Sequence, residues 1–461
     1  MNAGRHPSSY RDPSGFLFLH DGTLYRYVAQ AYAPHYDTFM QGGLYRDLTG
    51  AALLIPHREV PPPTSTPPGA HRILKPDPVA FVSYPYEWCF GQLRDAALCL
   101  LEVQRRALMH GMVLKDASAY NVQFHRGRPI WIDTLSFERY RPGEPWIAYR
   151  QFCEHFLAPL LLMARLHVDA GRLLREHLDG LPLDLAARML GWRAAFSSAA
   201  LVHVRLHARS IRKFSGPEAP SPGGQGRVGL RGLEALVDNL TRAVRNLDWR
   251  PSGTEWADYS STHGYAPESL EAKRRIVQDL LAQAQPETVW DLGANTGEFS
   301  RLAAATGAAT IALDADAAAV ERNYRRIVSD RETGILPLIQ DLSNPSPSLG
   351  WGLAERLSLV ERGPADVVLA LALVHHLAIT HNLPFDLIAG FLAKLGRQLI
   401  IEFVPKDDPQ LGLLLRSRED IFTQYSRESF ERAFDQWFSI GSGKPLPGSG
   451  RILYSMTTNA S

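Results

Sequence analysis

Residues 289–303, VWDLGANTGEFSRLA, decide the fold. An apolar run closes on Asp291, then Gly293, Asn295 and Gly297 alternate through a turn before the helix-forming EFSRLA. A buried strand that ends in a carboxylate and turns through small residues into a helix is what a βα crossover needs when a ligand lies across the strand ends. Glycine brings the backbone close to the ligand, and the free N–H groups of a helix starting at Glu298 face its polar groups.

Working outward, the pattern repeats. TIALD, 310–314, is a second apolar strand ending in Asp314, roughly 20 residues after the glycines, where a carboxylate can accept hydrogen bonds from ribose hydroxyls. A third strand, 335–339, runs into Gln340-Asp341-Leu342. A fourth, ADVVLALAL at 365–373, leads into Val374-His375-His376-Leu377, and a fifth is QLIIEF at 398–403. Strands that alternate with helices and are apolar on both faces imply a parallel sheet wrapped by helices, an α/β, Rossmann-like domain.

The ordered series DLGANTGEFS, TIALDAD, QDL, ADVVLALALVHHL resembles the motifs of class I S-adenosylmethionine-dependent methyltransferases over about residues 256–461. The whole chain is similar to the larger, nodulation-protein-like bacterial members of that class. The resemblance implies that Asp291, Gly293 and Gly297 cradle the methionine end of S-adenosylmethionine, that Asp314 holds the ribose, and that Asp341 sits by the adenine amino group. Asn295 stands where the family pattern has its middle glycine, and asparagine tolerates left-handed backbone better than most residues.

Composition bounds the rest. At 461 residues two or three domains are expected, and 45% hydrophobic with 21% charged residues is ordinary globular protein. A net charge of +1 offers no field for nucleic acid or membrane, so neither is an expected partner. Cys89, Cys99 and Cys153 are odd in number and widely spaced, against a disulfide scaffold or zinc site and in keeping with a reducing cytoplasm. The N-terminal residues are too polar for a signal peptide, and no apolar run is long enough to span a bilayer. No metal is expected, and nothing fixes an oligomeric state.

Before the sheet lies a different organisation. GFLFLHDGTLYRYV, 15–28, reads as a hairpin on Asp21-Gly22, and PPPTSTPP, 61–68, as an extended loop. VAFVSYPYEW, 79–88, reads as a strand, followed by a helix over about 92–110 that Gly111 ends. Then come Asp116, Asn121 and, at the close of IWID, Asp133, spaced as the base, the metal-binding Asn and the metal-binding Asp of a kinase. This order is similar to the C-terminal lobe of protein kinases and aminoglycoside phosphotransferases. Yet no G-x-G-x-x-G loop precedes it, no phosphate-pairing lysine is evident, Leu-Lys replaces His-Arg, and Thr-Leu follows Asp133. A degenerate kinase-like module, an N-terminal phosphotransferase and an unrelated domain are the alternatives.

His203 and His207 share a helix face, but no third ligand accompanies them. SGPEAPSPGGQGRVGLRG, 215–232, reads as a linker. The domains are therefore 1–214, an α+β domain for which a degenerate kinase-like module is one of the alternatives; 215–232, a Gly/Pro linker; and 233–461, the methyltransferase domain with a helical extension, in which Tyr259, His263 and Tyr265 are candidate lid or acceptor contacts.

Methyl transfer from a sulfonium needs alignment, exclusion of water and, for a hydroxyl acceptor, a base. Bases belong just past the strand ends, at His375, His376 and His381 after the fourth strand, or Glu402, Lys406, Asp407 and Asp408 after the fifth. The paired His375 and His376 are the chosen catalytic residues. Asn344-Pro345-Ser346-Pro347 follows the third strand, the wrong place for the N-P-P-Y motif of nitrogen methyltransferases, while 343–363 with Trp351 and Arg356 is a candidate acceptor wall. The expected function is transfer of a methyl group from S-adenosylmethionine to a small-molecule, biosynthetic or carrier-bound acceptor. The alternative is a noncatalytic S-adenosylmethionine-binding scaffold or sensor.

Overall fold

The computed structural model describes residues 5–64, 66–191, 203–204, 228–251, 267–415 and 421–459. Two compact units divide the chain: Met1–Arg250 with Gly350–Glu355, and Pro251–Leu349 with Arg356–Ser461.

In the first unit, β1 (Gly15–His20) and β2 (Thr23–Ala29) form the expected hairpin, with Asp21 and Gly22 both at positive φ as a type I′ turn requires. With β3 (His57–Val60) and β4 (Ala70–Pro76) they make an antiparallel sheet of order β1-β2-β4-β3. Helices Ala33–Gln41 and Leu44–Gly50 lie between β2 and β3, and Tyr32 and Tyr36 bury their rings with Val28 and Leu74. Residues 79–88 are not the strand that their aromatic content suggests. They are irregular and close in a 3₁₀ turn at Pro85–Glu87, because the Ser83 backbone satisfies its N–H and C=O on the buried Gln123 side chain instead of a neighbouring strand.

Helix Phe90–Met109 follows, and Gly111 takes the left-handed conformation just beyond it. Two short antiparallel pairs come next. β5 (Met112–Leu114) pairs with β8 (Phe137–Arg139), and β6 (Val122–His125) with β7 (Arg128–Trp131). The loop carrying Asp116 and Asn121 joins β5 to β6, and Asp133 follows β7, so helix, loop and strand succeed one another as expected, without the strand expected at 79–88.

The domain boundary is corrected. Helix Leu230–Arg245 begins inside the stretch assigned to the linker, and it packs on helix Phe90–Met109 in the first unit, so the division falls at 250. Leu233, Val237, Leu240 and Val244 form one apolar stripe, and such a stripe must be covered by a partner. Gly/Pro composition marked where regular structure pauses, not to which side the next helix docks. Residues 215–227 lie outside the described residues, as do His207, Tyr259, His263 and Tyr265.

The second unit is built on one sheet. Its strands are β9 (Thr288–Leu292), β10 (Ala309–Asp314), β11 (Ile335–Ile339), β12 (Ala365–Ala370), β13 (Gly396–Phe403), β14 (Phe438–Ile440), β15 (Lys444–Pro445) and β16 (Ile452–Thr458). Their order is β11-β10-β9-β12-β13-β16-β14, with β15 on β16. The first five run parallel, while β16 inserts antiparallel between β13 and β14. Helix Pro267–Ala284 lays Val277 and Leu281 into a core with Val289, Leu369 and Ile400. Strand order reverses at β9, since β10 and β11 add on one side and β12 on the other. At such a switch point the connections diverge and leave a crevice above the strand ends.

Candidate functional site

A cavity of about 360 Å³ opens at that switch point. Its wall takes residues from the turn after β9, from Asp314 to Asp316 after β10, from Gln340 to Ser343 after β11, and from Leu371 to His381 after β12.

The β9 turn is held by its neighbours. Gly293 and Ala294 donate backbone N–H to the Leu313 carbonyl at 2.8 and 3.0 Å, and Asn295 N donates to Asp314 Oδ2 at 2.7 Å. Gly293, Asn295 and Gly297 all have positive φ, so the asparagine does adopt the left-handed backbone foreseen for it. A Cβ on Gly297 would lie 2.5 Å from Asn323 Nδ2 and 2.7 Å from Arg301 Nη1, which no side chain accommodates without movement. Arg301, in the following helix Glu298–Ala304, turns back to donate to the carbonyls of Thr296 and Gly297 at 2.8 and 2.9 Å and pairs with Glu332. No sequence motif announced that brace.

Asp291 is buried and accepts from Ser300 Oγ at 2.6 Å. Burial pushes its carboxyl up to about 6, against the opposing pull of the Ser300 bond. Asp314 keeps part of its surface toward the cavity, yet burial raises it to about 6 as well, opposed by bonds from the backbone N–H groups of Asp316 and Asn295. Asp341 Oδ1 accepts from Ser343 N and Oγ at 2.9 and 2.6 Å. Asp316, missed in the sequence, caps the next helix with Oδ1 on Ala318 N, while its Oδ2 is a buried acceptor with no hydrogen-bond partner.

The other side of the wall is a single π-helical turn, His376–Thr380, a local widening that often re-aims side chains at functional sites. His376 and His381 line the cavity; His375 does not. His375 is buried, its Nδ1 has no hydrogen-bond partner, and burial holds its pKa well below the usual value. Burial lowers His376 to about 4, assisted by His381, so its imidazole is neutral at pH 7. The two rings stand 4.1 Å apart. Glu402 and Asp408 are buried in ion pairs with Lys273 and Arg451, of which Lys273 reaches the wall.

The cavity suits the cofactor that the motif series implies. It offers the buried, unpartnered Asp316 oxygen and the Asp314 carboxylate as acceptors for hydroxyl groups, glycine backbone for close approach, and apolar Leu342, Leu371 and Leu373 for a ring.

In the first unit, Asp116 accepts from Asn121 Nδ2 at 3.0 Å, and burial with the nearby Asp133 charge raises its pKa. Asp133 is engaged by the Arg26 guanidinium and Ser136 Oγ. Arg26 comes from β2, far from Asp133 in the chain. Lys115 pairs with Asp12 and donates to Ser14 Oγ at 2.7 Å. The His203 ring bonds Tyr149 and Asn239 at 2.7 Å each, a structural arrangement. No cluster with metal-binding composition occurs among the described residues, and no helix among them is long and apolar enough to cross a membrane.

A parallel sheet with one antiparallel strand inserted beside β13, and carboxylates at the ends of β9 and β10 and after β11, define the fold of the class I S-adenosylmethionine-dependent methyltransferases. S-adenosylmethionine is the cofactor of that class. No family model matches the chain. Over 458 residues it is 35% identical to nodulation protein NoeA of Rhizobium meliloti (strain 1021), a match spanning 98% of this chain and 96% of that one, and it belongs to the NoeA family. Solved structures it resembles include the bifunctional kinase-methyltransferase WbdD, at TM-score 0.31 and 15% identity over 46% of this chain and 45% of that one. Another is magnesium protoporphyrin IX methyltransferase of Synechocystis PCC 6803 with bound SAH, at TM-score 0.30 and 19% identity over 42% of this chain and 85% of that one. Similarity this low assigns no chemistry.

Proposed function

We propose that the second unit transfers a methyl group from S-adenosylmethionine to a hydroxyl of a small biosynthetic or carrier-bound acceptor. The observation that carries this reading is the one cavity wall shared by Asp291, Asp314 and Asp341 on one side and the neutral imidazole of His376 on the other. Bound S-adenosylmethionine supplies an electrophilic methyl group. Asp314 and Asp316 accept hydrogen bonds from ribose hydroxyls, Asp341 accepts from the adenine amino group, and the Gly293 to Gly297 turn takes the methionine end.

His376 accepts the hydrogen bond of the acceptor hydroxyl and takes its proton as the oxygen attacks. A group with a pKa near 4 is a weak base, so alignment and exclusion of water supply most of the acceleration. His375 belongs behind the wall, where its neutral ring packs against His376 and sets that ring's orientation. The relative of the same family is named a nodulation protein, and a biosynthetic acceptor is in keeping with that name.

Calorimetry with S-adenosylmethionine and S-adenosylhomocysteine tests the reading. Both bind the intact chain, and Asp314→Ala abolishes binding of both; a folded protein that binds neither overturns the reading. In an acceptor screen His376→Gln lowers kcat by about 10- to 100-fold, toward the low end of general-base effects. Unchanged kcat would leave alignment alone as the mechanism.

A further inference from the structure

Asp116, Asn121 and Asp133 are spaced in the chain as the base and the two cation ligands of a kinase, and that spacing implies a divalent cation in the first unit. Magnesium demands near-octahedral oxygen geometry at short distance, so its carboxylate ligands must be free to face it. The carboxylates of this unit do not meet that demand. Asp133 Oδ1 receives the Arg26 guanidinium and, at 3.2 Å, the Leu135 backbone N–H, while its Oδ2 receives Ser136 Oγ. Asp116 Oδ1 receives the Ser118 N–H at 2.9 Å, and its Oδ2 receives Asn121 Nδ2 at 3.0 Å. Each of the four carboxylate oxygens already has a donor from the protein.

Arg26 decides between a cation site and a closed cluster. It comes from β2, 107 positions before Asp133, and the two side chains are only 12% and 13% exposed. A guanidinium keeps its charge at every ordinary pH, so it cannot give way to a metal by losing a proton. A divalent ion at Asp133 would stand against that fixed charge, and expelling Arg26 would leave a largely buried cation without its partner, which is strongly destabilising. The neighbouring Lys115 is engaged as well. It lies over the Tyr32 ring at 5.2 Å, pairs with Asp12 at 3.2 Å and donates to Ser14 Oγ at 2.7 Å. Tyr32 is buried and donates its hydroxyl to the Phe137 carbonyl. What these bonds do achieve is mechanical: through Arg26, β2 and its antiparallel sheet are fastened to the turn Thr134–Ser136 that leads from β7 to β8.

We propose that Arg26 stands in for the cation, so that Asp116, Asn121 and Asp133 form a metal-free brace and the first unit carries out no phosphoryl transfer there. The inference concerns the first unit alone and does not rest on the methyltransferase reading of the second.

The experiment is manganese binding to the intact chain, with and without ATP, read by electron paramagnetic resonance and by thermal unfolding. Arg26→Gln combined with Asp133→Asn removes both charges and keeps both shapes, and it serves as the reference. The native protein and this double variant respond to manganese alike; manganese bound by the native protein and lost in the double variant overturns the proposal. Arg26→Ala alone leaves the Asp133 carboxylate unpaired and lowers Tm, and manganese raises it again by roughly 2–4 °C, an effect absent when Asp133→Asn is added. A Tm of Arg26→Ala that manganese does not move overturns the assignment of Arg26 to the cation's place. Should Arg26→Ala not fold, the native protein and the charge-free double variant decide between them.

Discussion

Gly297 and Asn295 sit two positions apart in one turn, and their substitutions separate two demands on it. Both have positive φ, but only Gly297 has no room for a Cβ, because Asn323 and Arg301 close over it. Gly297→Ala therefore costs roughly 1–3 kcal/mol in urea denaturation, whereas Asn295→Gly, which relieves a left-handed asparagine, changes stability by less than about 0.5 kcal/mol. The two carboxyls at the ends of β9 and β10 set a pH dependence. Both are raised from 3.8 to about 6 by burial, so the folded protein holds their protons where the unfolded chain has released them. Their contribution is fully present below about pH 4 and is lost as pH rises through about 6. Cofactor binding has the opposite sign. With Asp314 in its proposed role, hydrogen bonds donated by ribose hydroxyls favour its carboxylate, so affinity falls, and binding takes proton release with it, as pH drops from 7 to 5. Calorimetry in buffers of differing ionisation enthalpy reads that proton release directly; an affinity flat across this range would sink the assignment of Asp314.

Elements differ in how plainly the sequence declared them. The parallel strands were legible because each is a short apolar run ending close to a polar or charged residue, and a strand buried on both faces has no choice but to be apolar throughout. β14 and β16 were not, since Phe438–Ile440 is three residues long and ILYSMTT mixes polar and apolar positions, as suits an antiparallel strand near a sheet edge. The helix that seals this edge, Arg427–Asp435, was likewise unread. It buries Phe430, whose ring lies within 5.6 Å, centroid to centroid, of Phe385, Phe403, Phe434 and Tyr454. Phe430→Ala costs roughly 3–5 kcal/mol by thermal unfolding, the range for a large aromatic side chain removed from a packed core. A loss under about 1 kcal/mol would mean that this helix contributes little to the sheet. Helices Ala33–Gln41 and Leu44–Gly50 escaped the reading for another reason: they follow directly on a strong hairpin signal, and their glycines resembled loop punctuation.

At the scale of the molecule, chemistry was more legible than connectivity. The acidic residues of the cavity wall could be read because acidic strand ends at fixed spacing are a local property of the chain. Lys273, Asp316 and Arg301 could not, since a buried lysine in an amphipathic helix looks in sequence like any surface lysine until its partner, 129 positions away in the case of Glu402, is known. The same holds in the first unit, where Asp116, Asn121 and Asp133 were visible by spacing but Arg26, which comes from β2, was not. The inserted strand β16 carries one more consequence, for the order of events during synthesis. Arg451, just ahead of β16, follows Glu402 by 49 positions. Until the ribosome has passed that point, β13 is an open sheet edge that ends in a carboxylate destined for the interior, with its arginine not yet made. The nascent second unit must therefore wait with an exposed strand that could pair with another chain, although the residues that line the cavity, 270 to 381, have by then all been made.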